Sequence, residues 1–200
     1  MPKEQLRSTG EDTATTIGRR SVVKCGLTAG LALGLSPVAA IAQDDPASIR
    51  PKAGDFLVKI DDAALTPLRA DDIPLDMTPV MAWAVDPAEK IVRRGSRLNR
   101  ILLVRLDESR LVDATKARAA AGVVAYTAIC THTGCDVTDW LPDEKLLYCP
   151  CHFSKYDPKD GAKVIDGPAP RPLPALPLRI ADGQLVVAGA FTARVTFDPA

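Results

Sequence analysis

Beyond residue 54, apolar residues come in short runs rather than long stripes. Phe56–Ile60, Val80–Val85, Ile101–Leu106 and Val123–Ile129 are rich in branched and aromatic side chains, which suit a pleated, packed surface. Turn pairs such as Asp86-Pro87 and Arg94-Gly95 separate them. Lys163–Ile165, Leu176–Ile180, Leu185–Ala188 and Thr192–Phe197 repeat the pattern, and Asp182-Gly183 predicts a tight hairpin between two of them. One stretch breaks the series. From about Glu108 to Ala121 the chain is dominated by Ala, Leu, Lys and Arg, predicting a helix that Gly122 ends. The expected class is all-β, with stacked antiparallel sheets and one helical insertion.

The N-terminus has a different texture. Residues 1–18 are polar and aperiodic; Gly18-Arg19-Arg20-Ser21-Val22-Val23-Lys24 follows, and then an uncharged run from Cys25 to Gln43. Paired arginines before an Ala/Gly/Leu segment of modest hydrophobicity resemble a twin-arginine export signal. Three glycines and Pro37 make Cys25–Ala42 a poor soluble helix. Ala40-Ile41-Ala42 offers a small-x-small cleavage site, so residues 1–42 are expected to be an export signal cleaved after Ala42, or else a membrane anchor helix. Either outcome places the body on the periplasmic side of the inner membrane. Residues 43–54, polar and carrying Pro46 and Pro51, read as a linker, and residues 55–200 as the exported domain.

Composition narrows the function. At 46% hydrophobic the chain can build a core, and 17 prolines with 13 glycines agree with a turn-rich β protein. Lys plus Arg and Asp plus Glu are both 25, with no concentrated basic stretch, so no nucleic-acid partner is expected. The rare residues are the informative ones. The only two histidines, His132 and His152, and four of the five cysteines, Cys130, Cys135, Cys149 and Cys151, fall between positions 130 and 152. Such clustering points to a metal centre.

The first loop reads Cys130-Thr131-His132-Thr133-Gly134-Cys135, and the second Cys149-Pro150-Cys151-His152-Phe153-Ser154-Lys155-Tyr156. Each can present a thiolate and an imidazole from one turn. A structural Cys2His2 zinc site uses the same ligand types, but it usually groups cysteines with cysteines and histidines with histidines. Two disulfides with incidental histidines are a further alternative. A pair of irons, one held by thiolates and one by neutral imidazoles, suits the one-of-each arrangement and has a higher potential than an all-cysteine cluster.

Cys-x-His and Cys-x-x-His separated by sixteen residues, within Cys-Thr-His-x-Gly-Cys and Cys-Pro-Cys-His-x-Ser, resemble the Rieske proteins of quinol–cytochrome c reductases and of arsenite oxidase. The resemblance is close over about 123–188 and faint over 54–122. It implies a Rieske fold with a cluster-binding part at about 123–175 and a [2Fe–2S] cofactor. Cys130 and Cys149 would bind one iron, His132 and His152 the other. It also implies a Cys135–Cys151 disulfide, hydroxyl hydrogen bonds from Ser154 and Tyr156 that raise the potential, and a lid over Gly167–Pro174 that includes Pro168. Gly134 is expected to supply a backbone shape that a side chain would hinder. With no histidine left for a mononuclear iron, a self-contained oxygenase is excluded. The implied role is a one-electron carrier, the iron–sulfur subunit of a respiratory-type oxidoreductase and not catalytic on its own. Its expected partners are a cytochrome of b or c type, or a molybdopterin subunit of the arsenite oxidase type, with quinol as a substrate of the complex. Thr133 and Phe153 depart from the reductase pattern, which has leucine and glycine there, and so count against direct quinol docking.

Overall fold

A computed structural model describes residues 45–198. The signal or anchor expected over residues 1–42 lies outside them, and among the described residues no helix is long and apolar enough to cross a membrane. Among the described residues ten strands form two antiparallel sheets: β1 Phe56–Lys59, β2 Val80–Val85, β3 Ile101–Arg105, β4 Val123–Thr127, β5 Asp139–Leu141, β6 Leu146–Tyr148, β7 Lys155–Asp157, β8 Lys163–Asp166, β9 Leu178–Ala181 and β10 Gln184–Val187. The larger sheet has the order β4-β3-β2-β1-β10-β9 and the smaller β5-β6-β7-β8. The all-β expectation holds.

The period of two explains why β1 to β4 read as nearly continuous apolar runs. Leu57, Ala82, Ala84, Ile101, Leu103, Val123 and Ala125 share one core, while the alternate residues of β3 and β4 (Leu102, Val104, Val124, Tyr126) enter a second. Both faces of these strands are buried, so no polar alternation survives. The second core also takes Leu147 from β6 and Tyr156 from β7, and so joins the two sheets. Tyr126 is 1% exposed, and its hydroxyl donates to the Pro158 carbonyl at 2.8 Å. A third core on β1, β2 and β10 gathers Phe56, Val58, Trp83, Val85 and Val186.

The expected hairpin between β9 and β10 is present, with Asp182 and Gly183 both at positive φ (49° and 75°), as a tight primed turn demands. Two expectations fail. Glu108–Ala121 is not one helix but a 3-10 turn, Glu108–Arg110, followed by a single α turn, α1, Asp113–Lys116. Helix-favouring composition is overridden because the segment's polar groups bond elsewhere. Val112 N–H donates to the Lys159 carbonyl, Thr115 Oγ1 accepts from Gly161 N–H, and the Arg118 carbonyl accepts from Leu178 N–H. Thr192–Phe197 is not a strand; it forms an irregular tail that reaches the first metal loop.

The described part of the linker, residues 45–54, is tied to the domain. Arg93, 1% exposed, pairs with fully buried Asp55 at 2.7 and 3.1 Å and with Asp86 at 3.0 Å, and it donates to the Pro46 carbonyl. The Asp55 hydrogen bond chiefly keeps the guanidinium pKa above its ordinary value despite burial. Asn99, fully buried, donates to the Ile49 and Arg93 carbonyls.

Candidate metal centre

The two loops predicted to carry the chemistry are the same turn built twice. Cys130 N–H donates to the Cys135 carbonyl (2.8 Å) and Gly134 N–H to the Cys130 carbonyl (3.1 Å). Cys149 N–H donates to the Ser154 carbonyl (2.9 Å) and Phe153 N–H to the Cys149 carbonyl (3.0 Å). In each, a cysteine opens the turn and the fifth residue takes a left-handed conformation, with φ of 81° at Gly134 and 65° at Phe153. The first loop links β4 to β5 and the second β6 to β7, and both sit at one end of the smaller sheet. Glycine fits the first left-handed position for a second reason. A Cβ on Gly134 would come within 2.6 Å of the Phe197 ring.

This geometry converges the predicted side chains. Cys130 and Cys149 are free thiols, 2% and 1% exposed, within hydrogen-bonding reach of each other. The rings of His132 and His152 meet edge to face, with centroids 4.6 Å apart. Cys135 and Cys151 are joined in a disulfide, with Cα atoms 6.5 Å apart, that crosslinks the loops. Their sulfurs lie within 4.8 Å of Cys149 Sγ, but a disulfide has no thiolate to offer a metal. The Tyr156 hydroxyl is 3.1 Å from Cys130 Sγ, at the end of a fully buried side chain. Ser154, also fully buried, accepts from Ala169 N–H at 3.2 Å and reaches Cys130. Pro168 is exposed, and it is the neighbouring Ala169 that closes the lid onto Ser154. The lid approaches so closely that a Cβ on Gly167 would lie 2.5 Å from Ser154 Cα.

The two buried thiols shift each other's ionisation in opposite directions. The hydrogen bond from Cys149, aided by Tyr156, the His132 backbone and Ser154, brings Cys130 down to about 5 against the opposing effect of burial. Cys149 is pushed up, first by its hydrogen bond to Cys130 and then by burial. A metal ligand must be deprotonated, and the lowering at Cys130 favours that form. His132 Nδ1 is buried with no hydrogen-bond partner, an expensive omission unless the atom serves as a ligand. Two adjacent thiols, an orphaned imidazole nitrogen and a second imidazole facing it fit an asymmetric two-iron cluster.

A family model described as the Rieske [2Fe-2S] domain matches residues 88–177. A Haloferax mediterranei protein named "Putative respiratory nitrate reductase subunit Rieske" is 35% identical over 195 residues, covering 92% of this chain and 82% of its own. The chain belongs to the Rieske family. A Streptomyces lividans Rieske subunit, named as part of the cytochrome bc1 complex, is 32% identical over 128 residues, covering 62% of this chain and 75% of its own. A solved hyperthermophilic respiratory Complex III contains a chain 26% identical, with a TM-score of 0.40, covering 60% of this chain and 72% of that one. This Rieske protein therefore carries a Rieske-type [2Fe–2S] cluster and works as an iron–sulfur electron carrier.

Some residues of the site were not singled out from the sequence. Thr131 donates its hydroxyl to the Arg171 carbonyl (2.7 Å), binding the first loop to the lid. Arg97 donates to the Gly134 carbonyl (2.6 Å) and, with Arg100, holds Asp136 just past the loop. Only long-range placement identifies them, although an arginine inside a proline run, as at Arg171, is a weak signal.

Tyr156→Phe removes a hydroxyl from a ligand-type sulfur and favours the less negative, oxidised state. The midpoint potential is expected to fall by about 60 mV, one decade for a single electron; film voltammetry giving an unchanged potential would remove the tuning role. Phe153 pays no visible structural rent: it is 63% exposed, left-handed, and stacked only on Tyr148 at 6.2 Å. Phe153→Gly relieves roughly 1–2 kcal/mol of backbone strain. It gives up about 1 kcal/mol in chain entropy and a comparable stacking contribution. Its urea midpoint is therefore expected to stay near that of the parent, and a large drop would mean that the ring supports the fold.

Proposed function

We propose that this protein is the exported iron–sulfur subunit of a respiratory-type oxidoreductase, such as a quinol–cytochrome c reductase. Cys130, His132, Cys149 and His152 would hold its cluster. When bound, the cluster supplies one-electron redox chemistry at a potential raised by its two neutral ligands. The chain's own residues do the rest. Cys130 and Cys149 sit at the buried end of the site, Tyr156 and Ser154 favour the added negative charge there, and the disulfide and the lid exclude water. His152 stands exposed at the opposite edge, where a partner can approach. The observation that carries this reading is an exposed imidazole, edge to face with that of His132, on the same loops as two buried thiols.

A second reading is favoured by Phe153. Its exposed ring stands next to His152, where an insertion into a tight quinol pocket would have to accommodate it. The partner would then be a molybdopterin subunit of the arsenite oxidase type, and the relative named for a respiratory nitrate reductase aligns over more of this chain than the Streptomyces one. Purification of the tagged full chain from membranes, with haem and molybdenum analysis, separates the two. Stoichiometric b-type haem supports the first reading, molybdenum without b-type haem the second, and neither cofactor in any fraction sinks the idea of a subunit.

Export by the twin-arginine route places the carrier on the periplasmic side, anchored or cleaved after Ala42. Replacing Arg19 and Arg20 together with lysine is expected to trap the full-length chain in the cytoplasm, as read by fractionation and intact mass. Normal export of that variant would refute the route.

A further inference from the structure

The irregular tail that the sequence cast as a strand reaches the metal site. It begins beside the lid, where Thr192 N–H donates to the Ala175 carbonyl (2.8 Å) and Thr192 Oγ1 accepts from Ala175 N–H (2.9 Å). Val195 is then buried to 4% exposure. The last described residues cross the first loop: the Phe197 ring lies against Gly134, and Asp198 N–H donates to the His132 carbonyl at 2.9 Å. Arg171, from the lid, grips this tail with both guanidinium nitrogens, donating to the Thr196 carbonyl (2.8 Å) and pairing with Asp198 (3.1 Å). The Arg171 carbonyl in turn receives the Thr131 hydroxyl at 2.7 Å. Lid, tail and first loop are thus closed into one ring of contacts, on the side of the disulfide-linked loops where His132 lies.

Among the described residues the second loop has no such cover. His132 is half-buried with its backbone carbonyl engaged, whereas Cys151, His152 and Phe153 are all exposed. We propose that residues 195–198 and Arg171 form a strap that positions the His132 loop and shields its side of the site, leaving the His152 side open. Arg171 is a positioning residue in this scheme, acting on the site only through the tail and Thr131. A fork of donors suits the task because it satisfies a carbonyl and a carboxylate together, which a lysine ammonium on a flexible stem cannot hold in a fixed geometry. Shielding has an electrical consequence as well. Water near a group that gains an electron stabilises the more negative state, so an intact strap keeps the potential below the value an open loop would give.

This inference rests on the reading of His132 as a ligand, and its test is separable from that reading. Three forms of the holoprotein are compared with the parent: a chain ending at Val195, Arg171→Ala and Arg171→Lys. Release of iron to a chelator, the midpoint potential and the thermal melt are read for each. Local opening at the first loop is expected to speed iron release about tenfold in the truncated and alanine forms. The potential is expected to rise, with little change in the melt, and lysine is expected to restore part of both effects. Unchanged release and potential in the truncated chain would overturn the strap. So would faster release with an unchanged potential and a melt lowered in step, since that marks general loosening. A Cys149→Ser chain that still bound iron would instead strike at the ligand reading and leave the tail contacts standing.

Discussion

A Cys149→Ser variant is expected to purify as a folded protein that contains no iron. The buried thiols of Cys130 and Cys149 face each other at the closed end of the site, and removing one leaves half of the thiolate pair. A serine hydroxyl is a hard, weakly acidic donor that does not replace a thiolate in a soft iron–sulfur environment. Iron and acid-labile sulfide should fall to background, with no electron paramagnetic resonance signal in the reduced sample. Folding is expected to survive because two of the three cores, those around Leu57 and around Phe56, contain no residue of the metal loops. Near-normal iron in this variant would end the ligand assignment. Collapse of the β-sheet circular dichroism would show instead that the large sheet depends on the metal.

The second large effect lies far from the metal. Asp55→Ala leaves Arg93 in the interior with Asp86 as its remaining carboxylate among the described residues. Breaking a buried ion pair from one side costs about 3–5 kcal/mol, and the surviving Asp86 contact favours the lower end. For a domain of this size that corresponds to a fall in Tm of roughly 6–12 °C. Loss should spread to residues 45–50, because the same guanidinium holds the Pro46 carbonyl and Asn99 holds the Ile49 and Arg93 carbonyls. Hydrogen exchange that sped up only around Asp55, with an unmoved Tm, would show that the pair contributes little. Replacing Asp55 and Arg93 together by apolar residues is expected to recover much of the loss, since no stranded charge remains.

These two outcomes trace the limits of what the chain's pattern discloses. Strands β1 to β4 were legible because their side chains are apolar on both faces and of ordinary strand length. β5, β6 and β7 were not. Each is three residues long, too short for any period to stand out from the sequence, so these strands owe their pairing to the hairpins that carry the loops. The stretch from Glu108 to Ala121 misled in the opposite sense. Its composition favours a helix, but Thr115 and the Val112 amide are taken by Gly161 and Lys159, which lie far along the chain. At the metal centre the sulfur and imidazole positions stood out because those residues are rare and closely spaced. Thr131, Arg171 and Phe197 did not, because a common residue acquires its role only when a distant segment comes to rest against it.

One feature of the large sheet bears on how the protein behaves in solution. The outer edge of β4 is not bare: the Pro174 carbonyl accepts from Thr127 N–H and Leu176 N–H donates to the Ala125 carbonyl, both at 2.9 Å. The same segment runs directly into β9, the strand at the other end of that sheet. An unpaired strand edge is a template on which a second molecule can add, the first step towards aggregates. Here that template is already filled from within at β4, by backbone that lies outside the two metal loops. A molecule that has lost its iron therefore gains no open strand border at β4 on which a neighbour could add.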